Sequence, residues 1–179
     1  MVFYLEVRNM RKHLLLLSYV GLFVALGVVA SGIHIPVGPV KVFPFQHALN
    51  VLAGVIIGPW YGALAAFLTG ILRIMLGTGT IFALPGGIPG VVVVGCAYHY
   101  FRRNDWMGLL EPLGTGPVGA TVSTYLVAPL VGRTGTLLFF QSAFLLSSIP
   151  GSMVGLLLLK ALGRMANLEI WRPKPCRSK

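Results

Sequence analysis

The chain has 179 residues, of which 56% are hydrophobic and only 10% are charged. Soluble domains carry about 25% charged residues, so this composition excludes an ordinary water-soluble domain. Fourteen Lys and Arg against four Asp and Glu give a formal net charge of +10, and the positions of these charges decide whether they bind nucleic acid or set a membrane topology.

Charge-free segments predict where the chain crosses a membrane. Lys, Arg, Asp and Glu are absent from 13–40, 42–72, 74–101, 112–132 and 134–159. A helix needs about 20 apolar residues to cross a hydrocarbon core of ~30 Å, so each segment can hold at least one crossing. The first is longer than the apolar core of a signal peptide, which predicts a first helix over 14–33. The sequence is compatible with a start at Met1 or at Met10.

The Gly58-Pro59 pair interrupts the second segment, because proline removes a backbone donor and clashes with the preceding turn. We therefore expect an all-α, six-helix membrane bundle over 13–163, between an N-terminal segment at 1–12 and a basic tail at 164–179. Its helices after the first are predicted at 45–57, 60–76, 88–101, 109–131 and 137–162.

The basic residues favour six crossings with both termini in the cytoplasm. In that arrangement 11 of the 14 Lys and Arg lie inside, Lys41 and Arg133 lie outside, and Arg73 lies within the third helix. A re-entrant second helix would leave four inside and nine outside, against the usual cytoplasmic enrichment. The positive charge is thus topological, and we expect no nucleic-acid partner.

This topology collects polar side chains towards the outer side. Asn50 and Gln141 have an alternative role as bonds between helices, and Arg73 as a residue that extends its charge to the interface. A shared pocket open to the outside explains all of these polar side chains together. The predicted pocket residues, including one nearby aromatic residue, are His34, Phe45, Gln46, His47, Asn50, Arg73, Thr78 and Gln141. Glu111 and Asp105 are expected on the opposite, inner side, with Glu111 beside the positive N-terminus of the fifth helix.

Such a pocket suits a small neutral or weakly polar solute. No nucleophile–base arrangement, metal-ligand cluster or nucleotide-binding glycine loop is present in the sequence. We therefore expect no cofactor and no metal, and we favour a binding and transport protein without its own energy source. A self-sufficient transporter and an intramembrane enzyme are the alternatives.

Three motifs have a specific spacing: I-P-V-G-P-V-K-V-F-P-F-Q-H at 35–47 with Asn50, G-P-W-Y-G at 58–62, and R-x-x-L-G-T-G-T at 73–80 with Phe82, Pro85 and Gly86. A fourth motif, E-x-x-G-T-G at 111–116, is generic. With them the chain resembles the ThiW-type substrate-binding components of energy-coupling-factor vitamin transporters, over about residues 12–163.

The resemblance implies a six-helix component in a prokaryotic plasma membrane that captures hydroxyethylthiazole, the thiazole moiety of thiamin, from outside. Its partners would be a transmembrane coupling protein and two cytoplasmic ATPases, with lipid around it. In such families an A-x-x-x-A signature on the first helix docks the coupling protein. Gly21 and Ala25 stand at the equivalent positions here, and Ile74 replaces the asparagine that usually follows Arg73.

These expectations assign roles within the pocket. Gln46, His47 and Asn50 would bind the ring nitrogen or hydroxyl of the ligand, Phe45 would stack on its ring, and Arg73 and Thr78 would close the site. Gln141 completes the predicted substrate-binding set.

Overall fold

The structure is a computed structural model that describes residues 2–37 and 40–165. Most of the predicted basic tail at 164–179 lies outside this range.

Helices form most of the described chain, in the order α1 Val2–Ala30, α2 Pro44–Ile56, α3 Gly58–Met75 and α4 Ala83–Cys96. A π-helical turn, Ala97–Phe101, extends α4, and a 3-10 helix follows at Asp105–Leu110. The next helix, which we call α5, covers 111–130 and alternates short α-helical segments with π-helical turns at Gly114–Gly119 and Ser123–Val127. The last helix is α6, Leu137–Met165.

A short antiparallel hairpin, β1 Ile35–Val37 and β2 Val40–Val42, joins α1 to α2, with Ile35 opposite Val42 and Pro36 opposite Lys41. The predicted all-α class is therefore incomplete, because alternation of apolar residues within a proline-rich segment was enough to form two strands. Helix boundaries also differ from prediction: α1 begins at Val2, and α4 begins at Ala83 rather than at residue 88.

Proline and glycine set the junction between α2 and α3. Pro44 and Pro59 occupy the first turns of the two helices, where their missing N–H groups are not needed. Gly58 has a φ of +83°, a left-handed conformation that is accessible to glycine and lets the chain reverse within one residue. His99 supports the junction through a 3.1 Å hydrogen bond between Nε2 and the carbonyl of Val55.

The core of the bundle surrounds α2, which packs against α1, α3, α4 and α6. Eight of its 13 residues are buried. Val51 and Val55 lie in one apolar cluster with Phe23 of α1, Val91 of α4 and Leu159 of α6. This enclosure by other helices explains how so short a helix occupies the centre of the protein.

Three helices are long and apolar enough to cross a membrane by length and composition, among the described residues: Glu6–Ala30, Ala83–Phe101 and Leu137–Gly163. The predicted six crossings exceed this number, and α2, with 13 residues, is too short to qualify. The chain is a predominantly helical membrane protein.

The first prediction concerns the contact between α4 and α5. A Cβ on Gly90 would collide with the carboxylate of Glu111 and the hydroxyl of Thr115, both of which are completely buried. We expect Gly90→Ala to lower the free energy of unfolding by about 1–3 kcal/mol, the usual effect of overpacking. Thermal unfolding of the purified protein measures the change.

Gly163→Ala is the matched control, because an added Cβ at this helical position meets no atom within 4 Å. Alanine is favoured over glycine in a helix by roughly 0.5–1 kcal/mol, so this variant should be at least as stable as the wild type. Equal stability of the two alanine variants would contradict the close contact at Gly90.

Candidate ligand-binding site

A cavity of about 460 Å³ lies at one end of the bundle, among the hairpin, the connection at 76–82, the connection at 131–136 and the adjoining ends of α2, α3, α4 and α6. Its volume falls within the ~300–1,000 Å³ usual for small-molecule sites. Two hydrogen bonds fix the surrounding segments. The backbone N–H of Phe43 donates to Ser147 Oγ at 2.8 Å, and Ser31 Oγ donates to Thr78 Oγ1 at 3.1 Å.

Aromatic side chains form an apolar wall of this cavity. The rings of Phe82 and Phe140 have centroids 4.8 Å apart, and Phe144 follows with its centroid 6.2 Å from that of Phe140. Such tilted ring pairs are favourable, and their faces offer a surface on which a small planar ring can stack.

Arg73 of α3 also lines the cavity, with only 3% of its surface exposed. Its Nη1 donates to Gln46 Oε1, its Nη2 lies 3.5 Å from the carbonyl oxygen of Thr78, and its Nε has no hydrogen-bond partner. The guanidinium carbon lies 4.3 Å from the centre of the Phe43 ring, a cation–π contact. The guanidinium is thus held by neutral groups.

A buried carboxylate, that of Glu111, lies beneath the cavity. Its Oε1 lies 2.8 Å from His47 Nδ1, accepts a hydrogen bond from Thr115 Oγ1 at 2.7 Å, and accepts another from Asn50 Nδ2 at 3.2 Å. Glu111 has no exposed surface. The carboxylate therefore joins α2 to α5, and through the bond from Asn50 to the Gly87 carbonyl it also joins α4.

This contact orients His47, which lines the cavity. A carboxylate next to Nδ1 favours the ring form that carries a proton on that nitrogen. Nε2 makes no hydrogen bond within the described residues, so it is the ring atom left for another partner.

The structure brings together four of the predicted site residues, since Gln46, His47, Arg73 and Thr78 all line the cavity. Asn50 lies below them, beside a second void of about 20 Å³ between α1, α2 and α3 that has room for about one water molecule.

Three other predicted residues lie elsewhere. Phe45 is 43% exposed and does not line the cavity, where Phe43 takes the expected aromatic position. Gln141 is absent from the lining, although its neighbours Phe139 and Phe140 belong to it. His34 is exposed, with its ring centroid 5.7 Å from that of Phe43.

The prediction that Glu111 lies on the inner side, away from the pocket, was wrong. The 3-10 helix Asp105–Leu110 carries the chain into the bundle before α5 begins, so Glu111 enters the interior instead of remaining at the surface. Its partner Thr115 stands four residues later, one helical turn away, and this spacing is the sequence signal for the contact. Sequence reasoning also missed Lys41, Arg133 and Ser147 as cavity residues.

The second prediction concerns this network. Glu111→Ala removes the shared acceptor of three buried donors, so we expect a loss of about 3 kcal/mol or more in the free energy of unfolding. For a chain of this size, this corresponds to a fall in Tm of about 6 °C or more.

Glu111→Gln serves as the conservative variant, because its amide oxygen still accepts a hydrogen bond, and it should lose less stability than Glu111→Ala. Thermal unfolding in one detergent compares all three proteins. A wild-type Tm for Glu111→Ala would show that the carboxylate does not hold the helices together.

The sequence model of one family, described as thiamine-precursor transporter protein (ThiW), matches residues 17–165. No curated protein and no solved structure matches the chain. The match covers the hairpin, all the cavity-lining residues and the Glu111 network. Its members are transporters and not enzymes, which confirms the resemblance and the non-enzymatic function expected from the sequence. The chain belongs to the ThiW family of thiamine-precursor transporters.

Proposed function

We propose that this protein is the substrate-capture component of an energy-coupling-factor transporter and that it binds hydroxyethylthiazole, the thiazole moiety of thiamin. It would act in the plasma membrane of a prokaryote as a six-helix bundle with both termini in the cytoplasm. A transmembrane coupling protein and two cytoplasmic ATPases would supply the energy. The observation that carries the proposal is the cavity at one end of a thiamine-precursor transporter.

The distribution of charge supports an outward-facing cavity. Arg102, Arg103 and Lys160 lie at the end of the bundle opposite the cavity, where Lys160 Nζ is 3.9 Å from the centre of the Trp106 ring. Basic residues are enriched on the cytoplasmic side of membrane proteins, and Trp is enriched at the interface. Both features favour a cytoplasmic location for this end.

The short α2 is compatible with six crossings. Its 13 residues span about 20 Å at 1.5 Å each, less than the ~30 Å hydrocarbon core. Lipid thickness constrains a helix that faces lipid, whereas α2 is surrounded by protein on most of its length. The hairpin that precedes it would complete the passage to the outer surface.

The lining suits a small heteroaromatic ring with a polar substituent. The Phe82–Phe140 wall offers stacking to the ring, while His47 Nε2 and the Thr78 hydroxyl offer hydrogen bonds. In this proposal Gln46 and Asn50 contribute amide groups, directly or through the network with Arg73 and Glu111. Phe45 and Gln141 keep no direct ligand contact.

The outer surface of α1 supports the proposed docking to a coupling protein. Gly21 and Ala25 are exposed, and a Cβ on Gly21 would meet no atom within 4 Å. Gly27, by contrast, packs against Thr69 of α3. Gly21 and Ala25, which we call the Gly21 stripe, therefore remain on the surface of the bundle. Small residues one helical turn apart allow a second helix to approach closely.

The third prediction tests ligand capture. Purified protein should bind hydroxyethylthiazole in an equilibrium binding assay, and Asn50→Ala should weaken binding by about tenfold, because it leaves polar groups of a buried site unpaired. Gln141→Ala is the matched control, since Gln141 neither lines the cavity nor belongs to the hydrogen-bond network of Asn50, and it should bind like the wild type.

Unchanged affinity in Asn50→Ala would remove Asn50 from the recognition network, and absence of binding in the wild type would refute capture of this thiazole. Reconstituted vesicles distinguish the self-sufficient alternative. The proposed component should transport only with the coupling protein and ATPases, whereas steady uptake by the chain alone would favour the alternative.

The fourth prediction tests docking. Gly21→Leu and Ala25→Leu should reduce co-purification with the coupling protein by about tenfold, because bulk on the stripe separates the two helices. Ligand binding by the isolated variants should remain, since neither residue lies near the cavity.

Gly163→Leu is the control, because it adds the same bulk at an exposed glycine on α6 with no neighbouring atom within 4 Å. Normal recovery of the complex with both α1 variants would exclude this stripe as the docking surface.

A further inference from the structure

The cavity is lined by cations on several sides and by no carboxylate. Lys41 of the hairpin, Arg73 of α3 and Arg133 between α5 and α6 all contribute to its lining. Lys41 and Arg133 are exposed, while Arg73 is buried. These three residues are far apart in the sequence, so their convergence follows from the fold.

None of these cations is paired with an acid. Among the described residues the ion pair next to the cavity joins His47 to Glu111, and no salt bridge is found at Lys41, Arg73 or Arg133. Glu111 lies beneath the cavity, and its Oε1 already has hydrogen-bond partners in His47, Asn50 and Thr115. The charge on the walls is therefore uncompensated within the described part of the chain.

Arg73 makes this imbalance energetically significant. A buried charge without a counter-ion is strongly unfavourable, and at membrane depth such a residue usually faces a functional cavity. The amide of Gln46, the carbonyl of Thr78 and the ring of Phe43 solvate the guanidinium without neutralising it, and Nε has no partner. A small anion in the cavity would supply the missing charge.

We propose that the cavity selects an acidic derivative of its heteroaromatic ligand, whose phosphate or carboxylate group is bound by Arg73 and attracted by Lys41 and Arg133. The inference rests on the proposed function, because it specifies the substrate class of the same site. It differs from the neutral solute expected from the sequence by adding an acidic group to the thiazole.

The positions of the polar and apolar groups fit a ligand with two chemically different ends. The Phe82–Phe140 wall accepts the ring, while Arg73 with the nearby hydroxyls of Thr78 and Ser147 accepts the acidic group. Arginine and hydroxyl donors bind phosphate and carboxylate oxygens through short, charge-assisted hydrogen bonds. The exposed Lys41 and Arg133 would raise the association rate at low ionic strength.

Equilibrium binding to the full-length purified protein tests the inference by comparing the affinities of four compounds: hydroxyethylthiazole, its phosphate ester, a thiazole carboxylic acid of similar size, and benzyl phosphate. One of the two thiazole acids should bind at least about tenfold more tightly than the alcohol, because charge-assisted bonds to a buried donor are the strong ones. The identity of the tighter acid distinguishes a phosphate from a carboxylate site.

Binding of the alcohol as tightly as both acids, or more tightly, would overturn anion selection and leave thiazole capture intact. Binding of benzyl phosphate without any of the thiazoles would support an anion site and refute the proposed thiazole substrate. Absence of binding by all three anions would overturn the inference.

Variants locate the effect. Arg73→Gln should reduce the preference for the tighter acid over the alcohol by at least about tenfold, since the neutral side chain removes the buried counter-charge. Lys41→Gln with Arg133→Gln changes exposed residues, so it provides a second test where Arg73→Gln fails to fold, and it should reduce both the preference and its dependence on salt.

Arg102→Gln is the matched control, because it removes an exposed cation at the opposite end of the bundle. This variant should keep the wild-type preference. An equal loss of preference in Arg102→Gln and in the double variant would attribute the effect to net charge and overturn a specific site.

Discussion

The hydrogen bonds to the Glu111 carboxylate are the constraint on which the site depends. A carboxylate with no exposed surface requires hydrogen-bond donors, and here His47, Asn50 and Thr115 provide three to Oε1, while Oε2 has none among the described residues. Two of these donors come from α2 and one from α5. The first turns of α2 are therefore fixed relative to α5, and the cavity lies directly over this connection. The roles of His47 and Asn50 follow from the acid beneath them.

One turn of α2 contacts a cation, Arg73, and an anion, Glu111, in different directions around the helix. Gln46 and His47 are neighbours in α2, yet Gln46 contacts the Arg73 guanidinium and His47 contacts Glu111. Successive helical residues point about 100° apart, so one turn of α2 reaches both groups. Glu111 meets its hydrogen-bond donors through Oε1 while its Oε2 has no partner among the described residues, and Arg73 faces the cavity without a counter-ion. The cavity therefore has an unpaired positive charge, and an average of hydropathy or composition over the sequence does not reveal it.

Sequence reasoning placed Gln46, His47, Arg73 and Thr78 in one pocket because charge asymmetry orders the helix ends, and ends on the same side must meet. It failed where local geometry decided the outcome. The 3-10 helix Asp105–Leu110 brings Glu111 inside, and the hairpin brings Lys41 to the cavity. Gln141 was assigned by depth alone. Depth follows from topology, but the direction of a side chain around α6 depends on packing that the sequence does not display.

Glycines allow close helix packing at two positions next to the His47–Glu111 pair. Gly151 of α6 lies against the Pro44 carbonyl and the Cβ of His47, and Gly90 of α4 lies against the Glu111 carboxylate. The two glycines thus allow other helices to approach both halves of the His47–Glu111 pair at distances that no Cβ permits. A pair of charged or polar groups can remain buried only when close packing excludes water and when every donor finds its acceptor. The glycines therefore support the candidate site although they do not line it, because without them neither helix comes close enough to enclose the pair.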